Sequence, residues 1–213
     1  REKILVIAGS LPKGLKEDIK TIEPFNNLLK TIKDNNLKEQ KEFYSLNINN
    51  NCSSISLQFE ETSQVVIMMG KSTVPYNHSD DILLRLLSCY LGSGMSSKLF
   101  IKLREENGVA YDVGIYHPIR EIATPFIIHA STSLSKANYT LKLLKEEWKN
   151  LMYNSMSSDD LSLAKAKFKG QIAHSSQTVG QRAERKAHLL GQHLKENHDS
   201  NILTILNSIT TDE

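Results

Sequence analysis

Short apolar runs and stretches of strict alternation dominate the first part of the chain, and both patterns are typical of β-strands. Strands are predicted over five segments, at 4–8, 55–59, 65–70, 110–116 and 126–132. The first three are each followed by a turn or loop, and the last two are joined by a loop that contains Pro118 and Pro125. A helix is predicted between the first two strands, over about 12–32, where Pro24 breaks or kinks it.

Apolar residues spaced three and four apart predict helices, which cluster toward the end of the chain. A helix that is apolar almost all round is predicted over 80–91, and a second follows it, capped by Ser96 or Ser97 and ended by Asn107-Gly108. Three amphipathic helices come later, and their apolar positions are 137, 141, 144, 148 and 151, then 161, 164, 168 and 172, then 179, 183, 187 and 190. This order predicts an α+β fold, a layered sandwich in which helices pack on one face of a mostly antiparallel sheet.

The chain is predicted to form one domain, 1–213, because no repeat or low-complexity linker divides it. It begins without Met, at Arg1, and stops at residues that read like the start of a further helix, Thr211 to Glu213. We therefore expect it to be a piece excised from a longer protein.

Composition adds mainly exclusions to this picture. Hydrophobic residues make up 39% and charged residues 23%, which are ordinary values for a globular domain. The net charge of +2 gives no reason to expect nucleic acid or an anionic membrane as a partner. Cys52 and Cys89 are too few for a disulfide framework, so both are expected to be thiols in a reducing compartment. No apolar run reaches the ~18 residues that cross a bilayer, and the expected localisation is cytoplasmic.

Seven histidines raise the question of a metal site, and the segment His193 to His198 nearly reproduces the helical zinc motif His-x-x-Glu-His. Its histidines are five apart, so on a helix with ~100° per residue they would diverge by roughly 140°. They are expected to be solvated residues near a helix end, and no metal ligand is assigned in this chain. The glycine motif Gly92-Ser93-Gly94 ends a helix rather than following a strand, so it is expected to form a corner between two helices.

The segment from Leu91 to Val113 carries the candidate chemistry. Arg104 is predicted in the last turn of a helix and Tyr111 just inside the next strand, and the Asn107-Gly108 reversal between them could bring both side chains to one end of the sheet. A guanidinium and a phenol there are suited to bind peptide carbonyls or an oxyanion. The residues alone leave an alternative open, in which Arg104 pairs with Glu105 or Asp112 and Tyr111 fills the core.

The pattern Leu-Gly-x-Gly-x-Ser-Ser-x-Leu-Phe-x-x-Leu-Arg-Glu-x-x-Gly-x-Ala-Tyr-x-Val over 91–113 resembles the second-domain signature of the pitrilysin/insulinase family of zinc peptidases, which includes mitochondrial processing peptidase. The resemblance extends over most of the chain. It includes the strand at 65–70 followed by Pro75 and the helix that carries Trp148. Residues 161–167 also resemble the family's Glu-Leu-x-x-Ala-Lys region, with Asp160 in place of the glutamate.

The resemblance implies a fold and two residue roles. In that family one domain carries an inverted zinc motif, His-x-x-Glu-His, and a second domain of similar, processing-peptidase-like fold closes over the substrate. An arginine and a tyrosine of the second domain, seven residues apart, help to bind the substrate and stabilise the transition state. Arg104 and Tyr111 have this spacing, so the resemblance assigns them these roles.

The chain contains no His-x-x-Glu-His, so it is expected to bind no zinc and to be inactive alone. The expected function is that of the non-catalytic, substrate-binding domain of a zinc metalloendopeptidase, which closes over an extended peptide. The expected partners are that peptide and a zinc-bearing catalytic domain or subunit, with neither nucleic acid nor membrane, and a homodimer stays open. One alternative is a proteolytically inactive subunit that acts as an interaction or scaffold partner, and another is a stand-alone ligand-binding domain.

Overall fold

The computed structural model describes residues 4–21, 63–76, 78–195 and 197–212. The chain divides into two compact units, one formed by 1–45 with 173–198 and the other by 46–172 with 199–213. The predicted strand at 55–59 and the second half of the predicted helix at 12–32 lie outside the described residues. Nothing in the structure tests the prediction that the chain is one domain, and it stays a prediction.

Among the described residues of the second unit, three strands form an antiparallel sheet. They are β1 (Gln64–Thr73), β2 (Asp112–Tyr116) and β3 (Thr124–Ser133), in the order β1-β3-β2. All three strands were predicted from the sequence, and the structure lengthens β1 and β3 by a few residues. Their pairing through β3 confirms the antiparallel sheet of the expected α+β fold.

One face of this sheet packs on the core and the other is exposed. The register places Ile67 of β1 and Val113 of β2 on either side of Ala130, and all three pack in one hydrophobic cluster. On the opposite face Val66 is 58% exposed and Met68 is 66% exposed. Successive residues of a strand point to opposite faces, so the alternation in β1 separates core residues from exposed ones.

The helices follow the predicted order with one addition. They are α1 (Leu15–Thr21), α2 (Asp80–Gly92), α3 (Lys98–Phe100), α4 (Ala137–Tyr153), α5 (Ser158–His174), α6 (Val179–Gly191) and α7 (His198–Ser208). A π-helix (Ile101–Glu106) continues α3 directly, and a 3₁₀ turn (Leu134–Lys136) precedes α4. The sequence analysis missed α7. Thr211 and Asp212 lie in a turn, and the further helix expected to start there stays a prediction. In the described part of the chain, no helix is long and apolar enough to cross a membrane.

The buried helix α2 lies between two hydrophobic clusters, which explains why its sequence is apolar almost all round. Leu91 packs in the cluster beneath the sheet. Leu86 and Cys89 pack in a second cluster, with Phe168 of α5 and Leu206 of α7. A helix buried on two sides needs apolar residues on both.

Gly92 ends α2 where the helix meets β2. A Cβ atom at this position would lie 2.6 Å from the backbone nitrogen of Ile115. The following residues turn into α3, with Gly94 in the left-handed region at φ 74°, so the prediction of a corner between two helices is confirmed. The tight contact requires glycine at 92 for steric reasons rather than for its backbone conformation.

The amphipathic stripe predicted for α4 is shifted by polar residues that are buried. Thr140 is fully buried, and Glu147 is only 2% exposed. Leu144, predicted on the stripe, is fully buried as expected, and Trp148 packs at the edge of the same cluster. Polar groups can occupy such positions when their hydrogen-bonding groups have partners. The Thr140 hydroxyl donates to Thr132, whereas only Oε1 of Glu147 accepts a hydrogen bond and its Oε2 lies 3.6 Å from Lys98 Nζ.

The apolar run at 4–8 is not a buried strand, and this prediction is wrong. Ile4, Leu5 and Ile7 are 39%, 41% and 42% exposed, and the segment forms no strand with any described residue. Within the first unit Ile4 lies beside Gly191 at the end of α6. One-sided contact with a helix leaves these side chains half accessible to water.

Cys89 is a free thiol buried in the second cluster, as predicted, whereas Cys52 lies outside the described residues. The Cys89 thiol donates to Oε1 of Gln171 at 3.1 Å. Burial raises the pKa of Cys89 to about 11, so the thiol is protonated and unreactive at neutral pH.

We expect Leu99→Ala to lower the free energy of unfolding by about 2–5 kcal/mol, because it leaves a cavity in the core beneath the sheet. Leu99 is fully buried, whereas Leu134 is 76% exposed, so Leu134→Ala is the matched control and should change stability by less than ~0.5 kcal/mol. Urea-induced unfolding of both variants measures the difference. Equal stabilities would contradict the described core.

Two glycine-to-alanine substitutions are expected to act in opposite directions. Gly92→Ala places a Cβ against the Ile115 backbone and should cost about 1–3 kcal/mol, because helix or strand must shift. Gly170 lies in α5 with open space around it, and Gly170→Ala should stabilise the protein by about 0.5–1 kcal/mol. The melting temperature should fall for Gly92→Ala and rise for Gly170→Ala. A stabilising effect of Gly92→Ala would show that α2 does not contact the backbone of β2 at this position.

Candidate functional site

Arg104 lies in the π-helix that continues α3, on the exposed side of that helix. Its guanidinium carbon is 5.1 Å from the centre of the Phe100 ring, a cation–π contact between residues one turn apart. Its Nη1 donates to the backbone oxygen of Tyr111 at 3.3 Å. The structure therefore brings Arg104 to the start of β2, as the reversal at Asn107-Gly108 predicts.

The guanidinium of Arg104 has no acidic partner among the described residues. The sequence left Glu105 and Asp112 open as partners, but neither forms an ion pair with Arg104. Asp112 lies beside His129 instead, with 3.4 Å between Oδ2 and Nδ1. A guanidinium has five N–H donors in a planar fork, and only one of those of Arg104 is used within the described structure. The charge and most of its donors are thus available to a ligand.

Tyr111 lies just before β2 rather than inside it, and it is 59% exposed. The interpretation of Tyr111 as a core residue is therefore wrong. Its backbone nitrogen donates to the oxygen of Ser131 at 2.9 Å, which fixes the residue to β3. Its hydroxyl has no hydrogen-bond partner in the described part of the chain, so it too is free to meet a ligand.

The turn between Arg104 and Tyr111 satisfies the last carbonyls of the helix. Asn107 and Gly108 both donate their backbone N–H to the oxygen of Arg104, the latter at 3.2 Å. Val109 donates to the oxygen of Leu103 at 2.8 Å. Gly108 has φ 57°, in the left-handed region that favours glycine. The predicted glycine C-cap is confirmed, and it sets the direction in which the chain leaves the helix.

A buried chain of hydroxyl groups holds the same turn from below. Thr132 of β3 donates to the oxygen of Val109 at 2.6 Å. Thr140 of α4 lies 3.1 Å from the Thr132 hydroxyl, which accepts from it. The sequence analysis missed these two threonines, since a β-branched polar residue in a strand or helix does not reveal whether its hydroxyl faces the core.

An ion pair between a partly exposed lysine and a buried carboxylate anchors the beginning of the helix that carries Arg104. Lys98 Nζ lies 3.6 Å from Oε2 of the buried Glu147, whose Oε1 accepts from Asn150 at 3.2 Å. Lys98 also lies 5.6 Å from the centre of the Tyr90 ring. Burial, and then the charge of Asp160, raise the pKa of Tyr90 to about 12, so its hydroxyl stays neutral beside this pair.

The described residues do not fit a zinc ion. No group of three or more His, Cys, Asp or Glu side chains in the described part of the chain could hold a metal. His193 lies in the turn after α6 with φ 55°, and His198 is the first residue of α7. No helix therefore displays both. His193 is exposed just after α6, as expected of a solvated histidine near a helix end, and His198 is half-buried at the start of α7.

A cavity of about 770 Å³ lies apart from the Arg104–Tyr111 pair. Tyr90, Lys98, Leu151 and Ile209 are among the residues that line it, but neither Arg104 nor Tyr111 does. The candidate site is therefore an exposed patch at the junction of a helix and a strand, not an enclosed pocket. Such a patch is suited to a long flexible ligand whose other side is covered by a partner.

Comparison with known proteins places this arrangement in a family. Residues 16–168 match the family model described as the peptidase M16 inactive domain. The chain is 28% identical over 137 residues to YmxG of Bacillus subtilis, named an uncharacterized zinc protease, and the match covers 63% of this chain and 34% of that protein. The chain thus spans about a third of this curated relative.

Solved structures show the same fold. The peptidase M16 inactive domain from Pseudomonas fluorescens superposes with a TM-score of 0.63 at 20% identity, covering 71% of this chain and 36% of that one. A chain of Complex III2 from Candida albicans superposes with a TM-score of 0.61 at 14% identity, covering 72% and 39%. The family match includes α2, the π-helix and all three strands, and the resemblance to zinc peptidases is confirmed. This chain belongs to the M16 peptidase family, as an inactive domain of its zinc proteases.

Proposed function

We propose that this domain is the substrate-holding half of a zinc-dependent metallopeptidase, and that it binds an extended peptide opposite a zinc-bearing catalytic domain or subunit. The observation that carries the proposal is the guanidinium of Arg104, which is exposed and has no acidic partner among the described residues. Phe100 and the Tyr111 backbone hold it in place. A cation fixed without a counter-ion is ready to bind a group that carries or develops negative charge.

Arg104 and Tyr111 supply complementary donors to a peptide. The free N–H groups of Arg104 bind a carbonyl oxygen next to the bond that is cut, which orients the substrate. The hydroxyl of Tyr111 donates to the oxyanion that develops on the attacked carbonyl. Donors that strengthen as charge develops stabilise the transition state more than the ground state.

The strand β2 offers a place for the peptide backbone. Within the described residues β2 pairs only with β3, and Tyr111 directly precedes it. An extended peptide added beside β2 would form backbone hydrogen bonds that make little demand on its sequence. Its backbone would then run past Tyr111 and the Arg104 guanidinium.

Zinc belongs, in this proposal, to the partner. Metal-assisted hydrolysis needs three protein ligands and a bound water, and neither the sequence motif nor the described side chains supply them here. The zinc activates the attacking water when it is bound in the partner. The residues of this chain bind the peptide, orient its carbonyl and exclude water from one side of it.

A proteolytically inactive interaction or scaffold subunit is the second candidate. One observation favours it, namely that a chain of Complex III2 shares this fold. The free donors of Arg104 and Tyr111 argue for the peptidase, because a scaffold has no need of an unpaired guanidinium beside an exposed phenol.

Arg104→Ala and Tyr111→Phe, in the full-length protein with its zinc-bearing partner, should each lower kcat/KM for a peptide by roughly 10²–10³-fold, because the first removes donors that orient the substrate and the second removes a donor to the developing oxyanion. Steady-state cleavage of a fluorogenic peptide measures this. Arg120→Ala, at an exposed arginine in the β2–β3 loop, is the matched control and should leave kcat/KM unchanged. Wild-type activity in both site variants would refute the assigned roles.

Removal of zinc should abolish peptide cleavage by the same full-length protein, and added zinc should restore it, because the partner's metal supplies the nucleophile. The measurement is activity after dialysis against a chelator and again after addition of zinc. If a folded full-length preparation with stoichiometric partner cleaves no peptide in either state, the scaffold function is the correct one.

A further inference from the structure

The first turn of α4 docks on the loop that links Arg104 to Tyr111. Lys136, Tyr139 and Thr140 have the spacing i, i+3, i+4, which places them on one side of a helix. Each of the three forms a hydrogen bond toward that loop or to the threonine beneath it. This one helical turn therefore supports the whole connection between the two proposed substrate-binding residues.

Asn107 is the link between α4 and the helix of Arg104. Its Nδ2 donates to the oxygen of Lys102 at 2.6 Å, and its Oδ1 accepts from the Tyr139 hydroxyl at 2.8 Å. Only this orientation of the amide satisfies both partners, because the carbonyl of Lys102 can only accept and an amide nitrogen offers no lone pair to the phenol. The side chain of Asn107 thus caps the end of the π-helix, and its own position is fixed by the hydrogen bond from Tyr139.

The neighbouring Gly108 is held from the same side. Lys136 Nζ donates to the oxygen of Gly108 at 2.8 Å. The oxygen of Val109, one residue further, accepts from the buried Thr132. Three successive residues of the loop are therefore fixed by groups on α4, on the turn before it, or on β3, so the loop has little freedom to change the separation of Arg104 and Tyr111.

These bonds differ in how much the fold needs them. Leu103 and Val109 are buried beneath the loop and pack in the main cluster, so hydrophobic contacts hold the fold together there. Tyr139, by contrast, is 47% exposed and its hydroxyl bond is accessible to water. Loss of one exposed hydrogen bond changes stability little, but it removes a restraint on the position of the loop.

We propose that Tyr139 and Asn107 are positioning residues for the Arg104–Tyr111 pair, a role that rests on the proposed function of that pair. The Tyr139 hydroxyl fixes the amide of Asn107, and that amide fixes the end of the helix, from which the loop leads to Tyr111. Oriented donors contribute to catalysis only within a narrow range of geometry. Tyr139 thus acts through Tyr111 and Arg104 and does not itself touch the peptide.

The test uses four variants of the full-length protein with its zinc-bearing partner: Tyr139→Phe, Tyr111→Phe, the double variant, and the control Tyr153→Phe. Tyr153 lies on the same helix, is 80% exposed, and has no described hydrogen bond. We expect Tyr139→Phe to lower kcat roughly three- to tenfold with KM within about twofold of wild type, since a misplaced donor is lost mainly from the transition state. Tyr153→Phe should behave as wild type.

The double variant separates positioning from a general loss of stability. If Tyr139 acts through Tyr111 and Arg104, the double variant should be slower than Tyr111→Phe alone by less than the factor that Tyr139→Phe costs by itself, because the part of that effect which Tyr111 transmits is already lost. Asn107→Asp, which keeps the acceptor for Tyr139 but loses the donor to Lys102, should also lower kcat. Thermal unfolding of each variant checks that the fold is intact.

Three outcomes would overturn the inference. Wild-type kinetics in Tyr139→Phe would show that its hydroxyl does not matter, and a fully additive loss in the double variant would show that it acts independently of Tyr111. In both cases a large effect of Tyr111→Phe leaves the proposed function in place. Wild-type kinetics in Tyr111→Phe would instead remove the proposed function, and the positioning role with it.

Discussion

The burial of Leu99 and Leu103 beneath the sheet is the constraint on which the candidate site depends. Both leucines are fully buried and pack in the cluster that includes Ala130 of β3 and Leu144 of α4. Their burial fixes one side of the helix against the sheet, so the opposite side, with Arg104, must face outward. The oxygen of Leu103 also accepts from Val109, so a core residue directs the turn that leads to Tyr111.

Much of the fold could be predicted because it follows from periodicity and from local turn chemistry. Runs of apolar residues mark β1 and β3, and Gly108 ends its helix with a positive φ, as a glycine after an apolar helix predicts. Hydrophobic periodicity did not predict the polar residues that are buried. Thr140 and Glu147 are buried on α4 although neither belongs to the predicted apolar stripe at 137, 141, 144, 148 and 151, and their tertiary partners accommodate them there. The prediction of a buried strand at 4–8 was wrong because these apolar residues are half accessible to water, and Ile4 lies beside the end of α6.

The two residues of the candidate site could be predicted from the sequence, but the contacts that each of them makes could not. The spacing of Arg104 and Tyr111 and their resemblance to a family pattern identified them. The sequence could not show that Asp112 lies beside His129 and not beside Arg104, since cross-strand neighbours depend on register. Nor could the sequence show the hydrogen bond from the Tyr139 hydroxyl to Asn107. From the sequence alone, Asn107 is an ordinary residue at the end of a helix. Long-range partners decide both points.

The π-helix at Ile101–Glu106 affects how the distance between the two site residues should be counted along related chains. A π turn holds one residue more than an α turn between the same ends. A relative with a plain α-helix here could place an arginine and a tyrosine in the same positions with a spacing of six, although the spacing in this chain is seven. Conversely, deletion of a single residue from this segment would tighten the turn and rotate the arginine by about 100° around the helix axis. Alignments of related domains should therefore be anchored on the buried leucines of this segment rather than on the arginine.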